Sequence, residues 1–235
     1  MKIRIEKLIC DLFPYSRSEV KKLISAKRIS VNGEILKKAI NVDPEIDEIY
    51  LDDMIIKNNE ETIYMLNKPS GYLTANFDNF KPTVFDLVDL DARKYFAFGR
   101  LDFDTEGILL IGKDGKLAHQ LLSLKHHVAK TYYLEAKNAF SEKLKNHYPK
   151  PIDIGEGDII KDYKFEFIDD NKAYLTIYQG KYHQIKRMIT AFDNEVIYLK
   201  RISFGPINLD ENLALGEWRS LTKQEIQALY DEIAK

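Results

Sequence analysis

A cluster of charged residues between two apolar segments is the part of this sequence best suited to chemistry. Arg100, Asp102 and Asp104 stand between the apolar residues 95–98 and 108–111. We predict a chain reversal here, which places the charged side chains where two buried strands reach the surface. An ionised carboxylate in such a place can act as a nucleophile or as a general base. An aspartate in a hairpin is usually a cap of the turn, and Asp104 is nearly as good a candidate for the chemistry as Asp102, so the pattern alone leaves the choice between the two open.

Length and composition narrow the class of protein. A chain of 235 residues with 45% hydrophobic content suits one large domain or two smaller ones. Cys10 is the only cysteine in the sequence, which excludes internal disulfides and zinc sites built from cysteines. It lies in an apolar stripe, which predicts a position in the core. The sequence contains no apolar run near the roughly 20 residues that span a bilayer, and its charged start is unlike a signal peptide. We therefore expect a cytoplasmic, monomeric protein without membrane contact.

The charge is distributed unevenly along the chain. The total of −2 argues against a protein that coats nucleic acid non-specifically. Residues 1–42, however, carry ten Lys/Arg against four Asp/Glu, a charge of +6, and residues 43–62 carry one Lys against eight acids, a charge of −7. This asymmetry predicts that only selected surfaces meet phosphate.

The first 58 residues predict a small α/β module. Apolar residues follow helical spacing over residues 5–12, and Ser16 with Glu19 has the spacing of a capping box at the start of a second helix. Asn32-Gly33 favours a tight hairpin, and a further strand is expected at residues 48–51. The basic residues of the second helix and its exit are Arg17, Lys21, Lys22, Lys27 and Arg28. Residues 57–61 predict a solvated linker.

Residues 62–235 predict a larger domain in which strands and helices are mixed irregularly. This favours the α+β class, with a mixed, largely antiparallel sheet and flanking helices, over a doubly wound fold. Strands are expected at residues 62–66, 95–98, 108–111, 131–136, 163–168, 173–178 and 196–204. Helices are expected at residues 83–88, 116–124, 141–147, 183–192 and 222–234, the last beginning with a capping box formed by Thr222 and Glu225.

Four segments of the larger domain combine polar groups with turn residues: residues 67–71, 99–107, 130–132 and 180–187. Taken together they resemble the pseudouridine synthases of the RsuA type, which isomerise a chosen uridine in ribosomal RNA. The resemblance covers essentially the whole chain. Its most specific part is the motif Gly-Arg-Leu-Asp followed by Thr-x-Gly, in which the aspartate corresponds to Asp102.

The resemblance implies an isomerase that needs no metal and no organic cofactor. Asp102 is the expected nucleophile or base, and Lys186 is the cation that keeps its pKa low, with Arg187 as a substitute. Tyr132 is expected to stack on the target base and is a candidate for removing the proton from carbon in the last step. Arg100 is expected to contact phosphate or to fill the gap that the flipped uridine leaves.

The remaining expectations concern RNA. Lys68, in a Lys-Pro turn, either shapes the site or meets backbone phosphate. The N-terminal module resembles an RNA-binding module shared with a ribosomal small-subunit protein, in which the second helix and the hairpin, here residues 16–27 and 29–36, meet RNA. The short chain further resembles enzymes that act on small-subunit (16S) RNA, so a partly assembled ribosomal particle or one folded RNA segment is the expected partner.

Several simpler interpretations compete with these. Tyr132 and Tyr133 must face opposite sides of a strand, so one of them is expected in the core. The pair His126-His127 and the single His183 have no third partner at the spacing of metal ligands, and we expect no metal site. As a whole, the chain could instead be a non-catalytic RNA-binding or ribosome-assembly factor, a pseudouridine synthase for 23S RNA, or a hydrolase that uses Asp102 and Asp104.

Overall fold

The chain forms two compact units, Met1–Glu60 and Glu61–Lys235. The computed structural model describes residues 2–44, 46–52, 54–56, 63–123 and 125–234. The linker expected at residues 57–61, and with it the boundary between the two proposed domains, lies outside the described residues. Each unit has a hydrophobic core of its own.

The first unit contains two helices and short strands. Its elements are β1 (Ile3–Arg4), α1 (Ile5–Leu12), α2 (Arg17–Ser25), β2 (Ile29–Val31), β3 (Glu34–Ile35), β4 (Asn41–Val42), β5 (Ile49–Leu51) and β6 (Met54–Ile56). Strands β2, β3, β5 and β6 form a four-stranded sheet in the order β3-β2-β5-β6, and β1 pairs with β4. The apolar stripes of both helices pack into one core with β2 and β5.

The local signals of this unit act as the sequence predicts. The Ser16 hydroxyl accepts from the backbone N–H of Glu19, and the Glu19 carboxylate accepts from the backbone N–H of Ser16, so the capping box at α2 is confirmed. Asn32 and Gly33 take φ angles of 53° and 82°, the left-handed pair that a tight hairpin requires, and they join β2 to β3.

The second unit is built around one large sheet. Its strands are β7 (Tyr64–Lys68), β8 (Phe96–Ala97), β9 (Glu106–Gly112), β10 (Lys130–Ala136), β11 (Ile152–Asp153), β12 (Ile159–Ile160), β13 (Tyr163–Phe167), β14 (Lys172–Ile177), β15 (Val196–Phe204), β16 (Ile207–Asn208) and β17 (Trp218–Ser220). Its helices are α3 (Gly115–Leu122), α4 (Glu142–Lys145), α5 (Gln184–Thr190) and α6 (Lys223–Ile233), with a 3₁₀ turn at Val84–Asp86.

The sheet is mixed but largely antiparallel, as expected for the α+β class. Seven strands follow the order β13-β14-β10-β15-β9-β7-β17, while β8 pairs with β9 and β16 pairs with β15. Within the described residues, β9 and β15 form the one parallel pair of this sheet. The two central strands therefore meet at Gly107 and Arg201, beside the loop that carries the charged cluster.

Helices cover both faces of this sheet because its central strands alternate apolar side chains between two cores. Leu109 and Ile111 of β9 lie in the core that α5 covers, whereas Ile108 and Leu110 lie in the core that α3 and α6 cover. The capping box at the start of α6, formed by Thr222 and Glu225, is confirmed. The bounds expected for β15 agree with the structure residue by residue.

Two expected helices are much shorter than predicted. The segment expected at residues 83–88 forms only the 3₁₀ turn Val84–Asp86, in which Asp86 donates to the carbonyl of Thr83 and Leu87 to that of Val84. The helix expected at residues 141–147 forms only α4, which ends because Asn146 leaves the helical region, with φ −91° and ψ 0°, and Pro149 disfavours helical geometry at Tyr148.

Gly107 allows the close approach of β9 and β15. Its φ is +102°, and a Cβ atom there would lie 2.1 Å from the carbonyl oxygen of Arg201. We therefore expect Gly107→Ala to lower the free energy of unfolding of the second unit by about 2–4 kcal/mol. Urea unfolding followed by the fluorescence of Trp218, the only tryptophan in the chain, measures this change.

Gly155 provides the matched control for this substitution. It also has a positive φ, +82°, but a Cβ atom there would meet nothing within 4 Å. Gly155→Ala should therefore cost only the left-handed backbone strain, about 1–2 kcal/mol. Equal losses in the two variants would contradict the steric explanation.

Candidate active site

A cavity of about 680 Å³ in the second unit is lined by two residues of the charged cluster, Arg100 and Asp102. This volume lies in the range of sites that hold small molecules and is large enough for a nucleotide. Its walls come from the loops around residues 73–74 and 99–105, from β10, from β15 and from the segment that enters α5. Four of the residues predicted for the site line it: Arg100, Asp102, Tyr132 and Lys186.

The loop that carries Asp102 connects β8 to β9, which confirms the predicted chain reversal between two strands. Thr74 holds one side of this loop: its hydroxyl donates to the carbonyl of Leu101 at 2.8 Å and accepts from the N–H of Leu101 at 3.1 Å. The side chain of Leu101 is buried in the core. The backbone of Asp102 is therefore fixed immediately before the carboxylate.

Lys68 holds the other side of the loop from within the protein. Its side chain is fully buried, and Nζ lies 2.8–3.4 Å from the carbonyl oxygens of Pro69, Asp102, Phe103 and Thr105. Burial lowers the pKa of Lys68 to about 8, against the opposing effect of the charges of Asp104 and Asp102. Of the two roles expected for Lys68, the structure supports shaping the site. The predicted phosphate contact is corrected, because the ammonium is enclosed by carbonyl groups.

Lys186 on α5 faces both aspartates of the loop. Its Nζ lies 3.4 Å from Oδ2 of Asp102 and 2.6 Å from Oδ1 of Asp104. Burial alone would lower the pKa of Lys186, but the hydrogen bond to Asp104 and the charges of both aspartates raise it. For Asp104, burial opposes ionisation, but the hydrogen bond and charge of Lys186 outweigh it and lower the pKa. Lys186 is therefore cationic at neutral pH.

The surroundings of the two aspartates distinguish them, although the sequence pattern did not. The side chain of Asp102 is 31% exposed and lines the cavity. That of Asp104 is 62% exposed, is not part of the cavity wall, and makes the shorter contact with Lys186. Asp102 is thus the carboxylate that a molecule in the cavity meets.

Tyr132 lies on β10 and contributes both to the hydrophobic core and to the cavity wall. It is only 7% exposed. Tyr133 faces the other side of the strand, where its hydroxyl donates to Glu135 and its ring packs edge-on against Tyr174 and Tyr198. The expected separation of the two tyrosines is therefore present, and the buried one is also the one at the cavity.

Of the two further arginines predicted for substrate contact, only one lies at the cavity. Arg100 is exposed and lines the cavity. Arg187 does not line it: its guanidinium donates to the carbonyls of Ile154, Gly155 and Tyr182 and to the carboxylate of Asp158. The expectation that Arg187 contacts substrate, or replaces Lys186, is corrected, since these contacts use its donors to hold residues 154–158.

Among the cavity residues that were not predicted for the site, three carry a buried cation or an imidazole close to Asp102. Arg201 on β15 is 2% exposed; its Nε donates to the carbonyl of Ile108, while Nη2 has no hydrogen-bond partner within the described part of the chain. Lys130 on β10 is 7% exposed and donates to the carbonyl of Val128. His183 takes a left-handed φ of 46° at the start of α5, with Nε2 3.9 Å from Oδ1 of Asp102. The sequence contained a signal for Arg201: it is a charged residue inside a strand expected to be buried, and a buried charge requires a partner or a function.

The basic residues of the first unit lie on its surface. Arg17, Lys21, Lys22, Lys27 and Arg28 are all exposed. Arg28 forms a two-point ion pair with Asp52, with contacts of 2.9 and 2.6 Å. The cations of α2 are therefore available to an external anion, while Arg28 already has an internal one.

The described residues hold neither a metal-binding cluster nor a membrane-spanning helix. Among these residues, no three His, Cys, Asp or Glu side chains come together as a metal-binding group. The helices described here are all too short or too polar to cross a membrane.

Comparison with known proteins agrees with the geometry of the cavity. Residues 62–191 match the family model described as RNA pseudouridylate synthase, and residues 3–45 match the S4 domain. The chain therefore belongs to the RNA pseudouridylate synthase family, and it is a pseudouridine synthase with an S4 domain at its N-terminal end.

Individual relatives match over nearly their full length. The chain is 38% identical to the ribosomal small subunit pseudouridine synthase A of Haemophilus influenzae and 36% identical to that of Escherichia coli K12, over 97% of this chain and 99–100% of those proteins. It is 39% identical to an RNA pseudouridine synthase of Bacillus subtilis, over 97% of this chain and 98% of that one. A crystal structure titled as a pseudouridylate synthase aligns with a TM-score of 0.68 at 38% identity, covering 97% of this chain and 99% of the other.

Lys130 provides a stability test for the buried charge in the cavity wall. Burial, with a smaller effect of the Arg201 charge, lowers the pKa of Lys130 from 10.5 to about 8. At pH 7 the folded protein therefore holds an ammonium with a single described hydrogen bond, and we expect Lys130→Met to be more stable than the wild type by about 1–3 kcal/mol.

The stability difference between the wild type and Lys130→Met should depend on pH, because the pKa of Lys130 is lower in the folded protein. Between pH 8 and 10.5, Lys130 is protonated in the unfolded wild type but loses its proton in the folded protein. The wild type therefore becomes more stable relative to the variant as the pH rises from 8 to 10.5. Urea unfolding at pH 7 and pH 10 should therefore show an advantage of Lys130→Met that shrinks at the higher pH. An advantage of constant size would contradict a buried, titrating ammonium.

Proposed function

We propose that this enzyme converts a uridine of small-subunit ribosomal RNA to pseudouridine, with Asp102 as the group that acts on the sugar. The observation that carries this proposal is the arrangement of one cavity: a carboxylate at its wall, a cation 3.4 Å away and a buried aromatic side chain. The names of the Haemophilus and Escherichia relatives, both small-subunit enzymes, support the choice of RNA.

The reaction breaks the bond between C1′ of the ribose and N1 of uracil, turns the base, and joins C1′ to C5. The proton on C5 is lost, and N1 regains a proton, so atoms balance without any other reactant. Asp102, in its ionised form, attacks the sugar or removes a sugar proton. Lys186 is close enough to stabilise the ionised carboxylate and to balance charge on the departing base.

The walls of the cavity suit a detached uracil. Tyr132 offers an aromatic face or edge, and stacking of a base on such a ring contributes roughly 1–3 kcal/mol. We assign the electrostatic stabilisation of the negative uracil to Lys130 and Arg201 in addition to Lys186, since both are buried cations of the same wall. Uracil that carries negative charge on its carbonyl oxygens complements the donors of Arg201.

Access to the cavity requires the uridine to leave its helix or loop. Arg100, exposed at the cavity, is placed to contact the phosphate of the flipped nucleotide or to fill the gap it leaves. The S4 domain supplies a separate basic surface, formed by the exposed cations of α2 and its exit. We infer that residues 1–58 dock RNA and residues 62–235 carry out the chemistry. The substrate we propose is a folded rRNA segment or a partly assembled small subunit in the cytoplasm, and we propose that the enzyme works as a monomer.

Substitution of the two aspartates tests the chemical role. Asp102→Asn should reduce pseudouridine formation at least 1,000-fold, because an amide is neither a nucleophile nor a base at this position. Binding of RNA should change by no more than a few fold. Release of tritium from RNA labelled at C5 of uridine measures turnover, and a filter-binding assay measures affinity.

Asp104→Asn is the matched control. Because Asp104 lies outside the cavity wall, this variant should lose less than about tenfold in turnover. If Asp102→Asn still isomerised uridine, or if only Asp104→Asn were inactive, the assignment of Asp102 would be wrong.

The choice of RNA is tested in cells. Chemical mapping of pseudouridine in 16S and 23S RNA, with and without the gene, should show one position of 16S RNA that loses the modification, and the gene for the Asp102→Asn variant should not restore it. Loss of a 23S position would assign the enzyme to the large subunit. Unchanged maps in both RNAs would favour a non-catalytic assembly factor.

A further inference from the structure

The loop of residues 73–83 presents two phenylalanines to solvent. Phe77 is 72% exposed and Phe80 is 94% exposed. Rings in this position gain almost nothing from burial on folding. Isolated apolar side chains are common on surfaces, but two rings within four residues form a local apolar patch.

Hydrogen bonds within the loop hold the patch in place. Leu73 donates to the carbonyl of Pro82, and Val84 donates to the carbonyl of Leu73, so the base of the loop is closed. At its tip, Oδ1 of Asp78 accepts from the backbone N–H groups of Phe80 and Lys81, both at 2.9 Å. The ring of Phe80 is therefore presented by an ordered turn, and a partner that contacts it loses little by ordering the loop.

The same loop is attached to the wall of the cavity. Nζ of Lys81 lies 4.6 Å from the centre of the Phe103 ring, a cation–π contact. Phe103 follows Asp102, lines the cavity and is 38% exposed. Phe80 is thus the chain neighbour of a lysine that contacts the residue next to Asp102.

A second aromatic surface belongs to the same cavity. Tyr182 lines the cavity although it is 74% exposed, and its ring is stacked on the imidazole of His183, with a centroid distance of 3.9 Å and an angle of 18° between planes. Aromatic faces beside cations are the features that bind unpaired nucleotides without a need for base pairing.

We propose that Phe80 is a stacking platform for an unpaired base beside the target uridine, and that Phe103 and Tyr182 extend this surface into the cavity. The inference rests on the proposed entry of a uridine into the cavity. When that uridine leaves its stack, its neighbours lose a stacking partner, and an ordered ring replaces it on the loop whose residues Leu73 and Thr74 line the cavity. The preferred substrate is accordingly RNA that is single-stranded on at least one side of the target.

Binding to defined RNA tests the platform separately from catalysis. The probe is a fluorescein-labelled single-stranded oligouridylate of nine nucleotides, measured by fluorescence anisotropy, with the same strand paired to oligoadenylate as the duplex probe. Phe80→Ala should weaken binding of the single strand about 5- to 100-fold, whereas binding of the duplex should change less than twofold. The dependence of affinity on salt should stay the same, because no charge is removed.

Further substitutions of Phe80 distinguish stacking on an aromatic ring from apolar contact in general. Phe80→Tyr keeps an aromatic face and should bind within about twofold of the wild type, whereas Phe80→Leu should behave like Phe80→Ala. Tyr148→Ala is the matched control and should bind normally, since Tyr148 is a 52% exposed aromatic residue that belongs neither to the loop of residues 73–83 nor to the cavity wall. Urea midpoints of the Phe80 variants should equal that of the wild type, because the ring is almost fully exposed.

A second RNA probe tests whether Phe80 stacks on a base beside the target uridine and not on the uridine itself. In a nine-nucleotide strand that is abasic everywhere except at the central uridine, Phe80→Ala should change binding less than twofold, since the neighbouring bases are missing. Unchanged binding of the intact single strand by Phe80→Ala, an equal loss for duplex, or full rescue by Phe80→Leu would each overturn the platform. Unchanged RNA binding together with lost binding to ribosomal particles would assign the patch to a protein partner and also overturn it.

These measurements do not depend on turnover. If the aspartate variants or the pseudouridine maps contradicted the proposed function, the binding results would still decide whether Phe80 stacks on RNA.

Discussion

The geometry of the active site depends on one buried ammonium group. Lys68 is fully enclosed, and the carbonyl oxygens around it belong to the loop that ends one strand and begins another. A buried charge is costly unless neighbouring dipoles compensate for it, and here the compensating dipoles are the backbone of the loop itself. Since these carbonyls must point inward to solvate Lys68, the side chain of Asp102 is left to face the cavity. The position of the Asp102 carboxylate is thereby tied to the stability of the core.

Charge in the cavity is arranged in two layers. Lys186 and the two aspartates lie near the surface, where one cation is shared by two anions. Arg201 and Lys130 lie deeper, and the Nη2 group of Arg201 has no protein acceptor within the described residues. Such a deep positive layer is unfavourable in the empty enzyme but, in the proposed mechanism, complements an anion formed during the reaction. This is the pattern expected of a site that binds the transition state better than the ground state.

The sequence predicted correctly those elements that are determined by interactions between neighbouring residues. The capping boxes at Ser16 and Thr222, the hairpin at Asn32-Gly33 and the bounds of β15 follow from neighbouring residues alone. Strands of two or three residues, such as β1, β11 and β17, are too short to show an alternating pattern, and partners distant in sequence stabilise them.

The same distinction applies to the site. The motif around Asp102 and the positions of Tyr132 and Lys186 in the cavity were predictable from the resemblance to a family. Most contacts of Lys68 and Arg187 were not, because all their acceptors except Pro69 and Tyr182 lie about 30 residues or more away in sequence. The ion pair between Arg28 and Asp52 in the first unit is another contact of this kind, and it bears on the selectivity of the proposed RNA docking. In the proposed docking, an RNA phosphate that binds Arg28 must displace the carboxylate of Asp52. A random polyanion therefore gains little from this residue. An RNA backbone whose shape brings several phosphates onto the helix at once outcompetes the internal anion.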